Sequence, residues 1–159
     1  NRQRLDFESM RDAMLSVSGD LDLSMGGRSV HLTQKPFSSR RAAYGFIDRQ
    51  NIPALLRTFD FSNPNIHTPA RPETTVPQQA LFALNDPFVV ARAEALGRSL
   101  VGIAPEEAIR SLYHRVLSRN PSPQDLEGAR AFLGEEPSLA SLADLAQALL
   151  VSNEFFFID

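Results

Sequence analysis

Apolar residues near the start of the chain recur with helical spacing. They fall at i, i+3, i+4 and i+7: Met10, Ala13, Met14 and Val17. This spacing places them on one face of an amphipathic helix. Asp6 is a suitable N-cap because its carboxylate accepts hydrogen bonds from the unpaired amides of a first turn. Gly19 lies where a left-handed residue ends a helix, so a helix is predicted between these two residues.

Several helices are predicted from Pro77 onward. Pro77 is suited to the first turn of a helix whose apolar side carries Ala80, Leu81 and Leu84. Asp86 and Pro87 then have the types of a cap and a first helical residue, and this next helix is predicted to run to about Leu100. The remaining helix starts are marked by Pro105, by the Ser122–Asp125 tetrapeptide and by Ser138. Each of these three segments carries an apolar stripe: Ile109, Leu112, Tyr113, Val116 and Leu117; Leu126, Ala129, Phe132 and Leu133; Leu142, Leu145, Ala146, Leu149 and Leu150.

The middle of the chain has no sustained helical period. Gly26-Gly27 predicts a turn, and residues 42–48 are compatible with a short strand around Tyr44, Phe46 and Ile47. Pro53 is predicted to occupy the first turn of a short helix that carries Leu55, Leu56 and Phe59. Residues 60–77, with four prolines, are predicted to be a long loop, which Phe59, Phe61 and Ile66 would hold on the core.

These patterns predict a mainly α fold. We expect an irregular helical domain with a long proline-rich loop and a helical bundle at its C-terminal end. One short strand or hairpin is compatible with this fold. Residues 1–159 are interpreted as a single domain that is the C-terminal fragment of a larger protein, since the sequence starts at Asn1 without an initiator methionine. A division into a core and loop region, 1–101, and a three-helix part, 102–159, is the alternative.

Composition narrows the classes of function. The chain has no cysteine, which excludes disulfides, thiolate metal sites and c-type haem attachment within these residues. We also expect no cofactor in this chain. The longest apolar run, residues 146–151, is too short to cross a bilayer, so no membrane span is expected. The formal net charge of −3 and the pI near 5.6 argue against nucleic-acid binding.

Charge is nevertheless unevenly distributed, with the basic residues concentrated in the middle. An anionic polysaccharide or glycan would be bound there by five arginines: Arg40, Arg41, Arg49, Arg57 and Arg71. Internal pairing with the acidic C-terminal part is the simpler interpretation.

Polar residues of the proline-rich loop form the other candidate site. Asp60, Asn63 and His67 are polar donors and acceptors on an irregular segment, as in a ligand site or part of a hydrolytic enzyme, although turn-forming bonds to nearby backbone explain them better. Gln78, Gln79 and Asn85 are suited to bonding the loop backbone or, alternatively, ligand hydroxyls. No nucleophile elbow, phosphate loop, dinucleotide fingerprint or zinc-protease motif occurs, so whether this chain is an enzyme stays open, with a non-catalytic role favoured.

Particular strings resemble a known family. They are Arg4-Leu5-Asp6, Arg11-Asp12, Ser16–Gly19, Gly26-Gly27, Arg41–Tyr44, Phe59-Asp60, Thr74–Leu81 with Asn85, and Ser152–Phe155. Together they resemble the C-terminal part of a domain of unknown function that occurs in large exported proteins of planctomycetes and related bacteria, beside a planctomycete-type cytochrome c module.

The resemblance implies a context for the chain and no catalytic residues. It implies export to the periplasm or cell surface, a haem c upstream in the parent protein, and other domains of the parent chain as partners. The function expected from it is a non-catalytic structural or docking module of an exported, cytochrome-associated multidomain protein. Anionic glycan binding is the alternative, and part of a hydrolytic enzyme is the second alternative.

Overall fold

The first helix forms where the apolar spacing predicts it. In the computed structural model, which describes residues 2–158, α1 spans Phe7–Ser18. The Asp6 carboxylate accepts a hydrogen bond from the Ser9 amide at 2.7 Å, and Gly19 ends the helix at φ 81°. Met10 and Met14 are fully buried, so the predicted cap, stop and apolar face are confirmed.

The segment after α1 is irregular. Gly26 and Gly27 have φ values of 77° and 89°, which confirms the predicted turn. The strand predicted around Tyr44 is wrong, because Ala42–Tyr44 form a 3-10 helix. The Ala42 amide donates to the Asp12 carboxylate, and the Gly45 amide turns back to the Ala42 carbonyl, so the chain cannot extend there.

Helix α2 spans Ala54–Thr58, as the sequence predicts, although Pro53 is the N-cap residue and not the first helical residue. The segment from residue 60 to residue 76 contains no helix or strand, which agrees with the predicted loop. Phe59 is buried and Phe61 packs against the core, whereas Ile66 is exposed. The aromatic residues therefore hold the loop, and the expectation for Ile66 is wrong.

Helices α3 (Pro77–Asn85) and α4 (Pro87–Arg98) are separated by Asp86 alone. The Asp86 carboxylate caps α4 by accepting a hydrogen bond from the Phe88 amide at 2.8 Å. The apolar face predicted for α3 is wrong. Leu81 and Leu84 are 57% and 54% exposed. Phe82 is buried instead, because its ring packs against Phe7 and Phe59, and this aromatic cluster decides which side of α3 faces the core.

The C-terminal part is a bundle of α5 (Pro105–Leu117), α6 (Pro123–Leu133), α7 (Leu139–Leu150) and the short α8 (Asn153–Phe156). The predicted stripes of α5 and α7 are buried, while Phe132 on α6 is exposed. Helix α7 packs closely along α4, and a Cβ at Gly97 would lie only 2.9 Å from the Ala143 nitrogen.

Two short strands join the ends of the described chain. Gln3–Arg4 (β1) pairs antiparallel with Phe157–Ile158 (β2), with Gln3 opposite Ile158. The fold is therefore mainly helical with one small pair of antiparallel strands, which confirms the predicted mainly α fold class. One hydrophobic cluster includes residues from Phe7 in α1 to Phe156 in α8, so α7 and α8 share a core with the first half.

Candidate functional site

The proline-rich loop is attached to β1 by a network that we call the loop tether: Arg4, Asp60, Thr74 and Gln79. Asp60 follows α2 at a φ of 59°, a left-handed conformation that aspartate tolerates better than most residues. Its Oδ2 accepts from the Arg4 guanidinium at 2.8 Å and from the Thr74 amide at 2.9 Å. Its Oδ1 accepts from the Thr74 hydroxyl at 2.7 Å. Every acceptor of this carboxylate thus faces a donor from elsewhere in the chain.

The tether also fixes the charge of Asp60. Burial on its own would raise the pKa of this carboxyl, but the hydrogen bonds from Thr74 and the pairing with Arg4 outweigh it and lower the pKa below its ordinary value. Asp60 is therefore ionised at neutral pH and engaged with Arg4, an arrangement that suits a structural anion better than a proton donor.

Gln79 completes the tether from α3. It is buried, and its Nε2 donates to the carbonyl of Thr58 at 2.8 Å and to that of Thr74 at 3.0 Å. These bonds join the end of α2, the end of the loop and the start of α3. Gln78 is exposed, and the Asn85 amide donates to Leu81 within its own helix at 3.1 Å.

A second set of contacts attaches the irregular segment before α2 to α1. Arg11 is only 1% exposed. Its guanidinium donates to the carbonyl of Arg40 at 2.9 Å and to that of Ser38. Asp12 accepts from the Ala42 amide at 2.8 Å. Adjacent residues of α1 thus hold adjacent parts of the segment, one through a cation and one through an anion.

Arg40 itself stabilises the Gly26-Gly27 turn. Its guanidinium donates to the carbonyls of Arg28 at 3.0 Å, of Ser24 at 3.2 Å and of Gly26, and it lies 4.0 Å from the centre of the Tyr44 ring. The Tyr44 hydroxyl accepts from the Gly26 amide at 3.0 Å. The donors that a glycan would need from Arg40 are therefore turned towards the protein's own backbone.

Between these attachments lies an open groove of about 640 Å³, which we call the α1 groove. Helix α1 forms one wall from Glu8 to Ser16, and the segment from Arg41 to Ile47 forms the opposite wall. Phe61 and Arg71 lie at the loop end of the groove. The structure thus brings Arg41 and Arg71, two of the five candidate arginines, to one surface.

These two arginines are paired very differently. Arg71 makes two hydrogen bonds of 2.9 Å to the Glu8 carboxylate and lies 5.0 Å from the centre of the Phe61 ring. The hydrogen bonds to Glu8 and its charge raise the pKa of Arg71. Arg41 is 56% exposed, and its Nε lies 3.8 Å from Asp12, a loose contact without a hydrogen bond. Arg41 is therefore the more available cation in the groove.

The other candidate residues are not drawn into one site. Within residues 2–158, the side chains of Arg49 and Arg57 have neither a hydrogen-bond nor an ion-pair partner, and both residues are exposed. Asn63 accepts from the Asn65 amide at 3.0 Å in a local turn, and His67 is exposed. In this described part of the chain, no group of three histidine, aspartate or glutamate side chains is placed to hold a metal ion.

The residues that attach the irregular segments were not singled out as site residues by their types. Arg4, Glu8, Arg11 and Asp12 look like ordinary charges on an amphipathic helix and its approach. Their partners lie 27 to 63 residues further along the chain, and no local spacing indicates pairs at that distance. Arg4, Arg11 and Asp12 do occur in the strings on which the family resemblance rests, whereas Glu8 does not.

A family model agrees with that resemblance. The model described as PSD1, a protein of unknown function (DUF1553), matches residues 1–133. The chain belongs to this family. The match ends with α6, although α7 shares the core. Neither the curated proteins nor the solved structures include a match to the chain.

Helices that could span a membrane are not found among residues 2–158, since none is both long and apolar enough.

Proposed function

We propose that this PSD1-family chain is a non-catalytic docking module within a larger exported protein. The observation that carries the proposal is the use made of the polar residues in the strings shared with the family. Arg4, Arg11, Asp12, Asp60 and Gln79 are all engaged in holding irregular segments on the helices. Such residues support a precise shape more readily than a reaction, because each of these side chains is already engaged with another part of the chain.

A specific surface supports docking. Leu81 and Leu84 lie one turn apart on α3 and are both more than half exposed; we call this pair the α3 face. Two exposed leucines on one helix face leave apolar surface in water, which burial against a partner would remove. The Gln147 amide donates to the Leu84 carbonyl at 2.8 Å, so α7 fixes the end of this helix. The C-terminal end of the α3 face is therefore attached to α7.

The partner that we propose for the α3 face is another domain of the parent chain. The family resemblance supports this choice, since it places such domains beside neighbours that include a haem-bearing module. Export and the association with a cytochrome belong to the same proposal and rest on the same resemblance.

The test is to place charges on the α3 face in the full-length parent protein. Leu81→Asp with Leu84→Asp should weaken domain association, seen as fewer interdomain cross-links and faster proteolysis between domains. The thermal unfolding of this domain should stay nearly unchanged, because both positions are exposed. Val101→Asp with Phe132→Asp is the matched control, since both residues are 56% exposed elsewhere. Equal cross-linking in both double variants would refute docking through α3.

Glycan binding is supported less well as the function of the five arginines. Arg40 is engaged with backbone carbonyls and Arg71 with Glu8, so only Arg41, Arg49 and Arg57 present exposed guanidinium groups without hydrogen bonds. A hydrolytic function for Asp60 and His67 is supported less still, since the Asp60 carboxylate is enclosed by Arg4 and Thr74.

A further inference from the structure

The α1 groove has the dimensions of an extended peptide segment. Its helical wall runs from Glu8 to Ser16, which corresponds to about 12 Å at a rise of ~1.5 Å per residue. An extended chain advances ~3.3 Å per residue, so about three to four residues match this length. The groove is open along this wall, as a site for a segment of a longer chain needs to be.

The groove surface favours aliphatic side chains over sugar rings. Leu21, Leu32 and Ile47 line it together with small residues such as Ala13 and Ala43. These side chains are partly or fully buried except Ala43, so they form a floor and not a protruding patch. The Arg71 guanidinium stacks on the ring of Phe61, the aromatic residue in the groove, which leaves that ring less free to stack on a sugar.

The charges of the groove leave one cation available to a ligand. Arg71 pairs with Glu8 through two hydrogen bonds and also lies 3.7 Å from Asp6. Asp12 is held by the Ala42 amide and lies 3.4 Å from the buried Arg11 guanidinium. Arg41 makes no side-chain hydrogen bond to any described residue, lies 3.8 Å from Asp12 and is more than half exposed at the edge of the groove. A ligand carboxylate can therefore pair with Arg41 without displacing a strong internal contact.

Both walls are fixed before any ligand binds. Arg11 and Asp12 attach residues 38–42 to α1, and the Gly45 amide donates to the Ala42 carbonyl at 2.8 Å. Gly45 is required for this close packing, because a Cβ there would lie 2.4 Å from Leu32 Cδ1. A groove with walls fixed in advance loses little conformational entropy on binding.

We propose that the α1 groove binds an extended peptide segment of three to four residues that combines an acidic side chain, paired with Arg41, and an aliphatic side chain on the floor. This goes beyond docking through the α3 face, since it concerns different residues and a linear segment. Alternate side chains of an extended chain point to opposite sides. An acidic–aliphatic alternation therefore presents one type to the floor and the other to the edge.

The probe that tests the proposal is a capped tetrapeptide of alternating aspartate and leucine, titrated into the chain at low salt and followed by amide NMR shifts. We expect saturable shifts at Ala13, Ala42 and Ala43. Arg41→Glu should raise the Kd about tenfold, because it places like charges together. Arg49→Glu makes the same change in net charge at an exposed position outside the groove and should change the Kd less than twofold.

A second variant separates binding from folding. Ala43→Trp fills the groove from an exposed position without changing charge, so it should abolish the shifts while the amide spectrum of α5 to α7 stays native. Equal losses in the Arg41 and Arg49 variants would overturn the proposal, as would equal binding of a lysine–leucine tetrapeptide. If an oligogalacturonate binds in a way that depends on Arg41 and the acidic tetrapeptide does not bind, the peptide proposal is refuted and the ligand of the groove is an acidic sugar. None of these results depends on the α3 face.

Discussion

Replacing Asp60 by asparagine should destabilise the fold more than a surface charge change does. Asparagine has nearly the same shape and also tolerates the left-handed backbone at φ 59°, so the substitution changes charge with little change of backbone preference. It leaves the Arg4 guanidinium, whose side chain is 8% exposed, without a counter-charge. Breaking a buried ion pair from one side costs about 3–5 kcal/mol. Because the Asp60 side chain keeps 10% exposure, we expect about 3 kcal/mol.

The assay is a double-mutant cycle measured by urea unfolding. Arg4→Met alone leaves Asp60 with both hydrogen bonds from Thr74, so it should cost less, about 1–2 kcal/mol. The double variant removes both charges, and its cost should fall short of the sum of the single costs by about 1–3 kcal/mol. Glu106→Gln is the control, because it breaks an exposed pair of 2.8 Å with Arg110 and should cost at most about 0.5 kcal/mol.

The pH dependence gives an independent test of the same tether. The folded protein lowers the pKa of Asp60, so the ionised carboxylate stabilises the fold at neutral pH, and this contribution is lost as the pH falls through the lowered pKa. The stability difference between wild type and the asparagine variant should therefore shrink on acidification. Additive single costs, or a difference that persists unchanged in acid, would refute a structural role for the Arg4–Asp60 pair.

Two further predictions concern the packing of α7. Gly97→Ala should lower the free energy of unfolding by about 1–3 kcal/mol, because the new Cβ would meet the Ala143 backbone. Gly128→Ala on α6 is the comparison: no atom lies within 4 Å of the new Cβ, so it should raise the free energy of unfolding by about 0.5–1 kcal/mol. Thermal unfolding of both variants measures these changes. Truncation after Leu133, where the family match ends, should abolish cooperative unfolding in circular dichroism, since α7 completes the core. A folded truncated chain would show instead that residues 1–133 have a core of their own.

The helices were predictable because their signals are local. The cap at Asp6, the capping box of Ser122 with Asp125 and the buried stripe around Leu112 all depend on residues within one or two turns. The face of α3 was not predictable in this way. Its spacing allows Leu81 and Leu84 as well as Phe82 to face the core, and the choice depends on Phe7 and Phe59, which lie far away in the sequence.

The candidate site shows the same division between local and distant information. The sequence located the loop, Asp60 and Gln79, but the pairing of Asp60 with Arg4 spans 56 residues. The strand expected around Tyr44 failed for a related reason, because the Asp12 side chain, 30 residues earlier, takes the Ala42 amide. The sequence therefore indicated which segments carry polar chemistry, and tertiary contacts decided which of those groups are left free.

The pairing of β1 with β2 has a consequence for larger architectures. Gln3 and Ile158 face each other across one antiparallel pair, where neighbouring strands are ~4.8 Å apart. A polypeptide can therefore enter and leave this fold at almost the same point. Segments attached before Gln3 and after Ile158 would therefore leave the fold side by side.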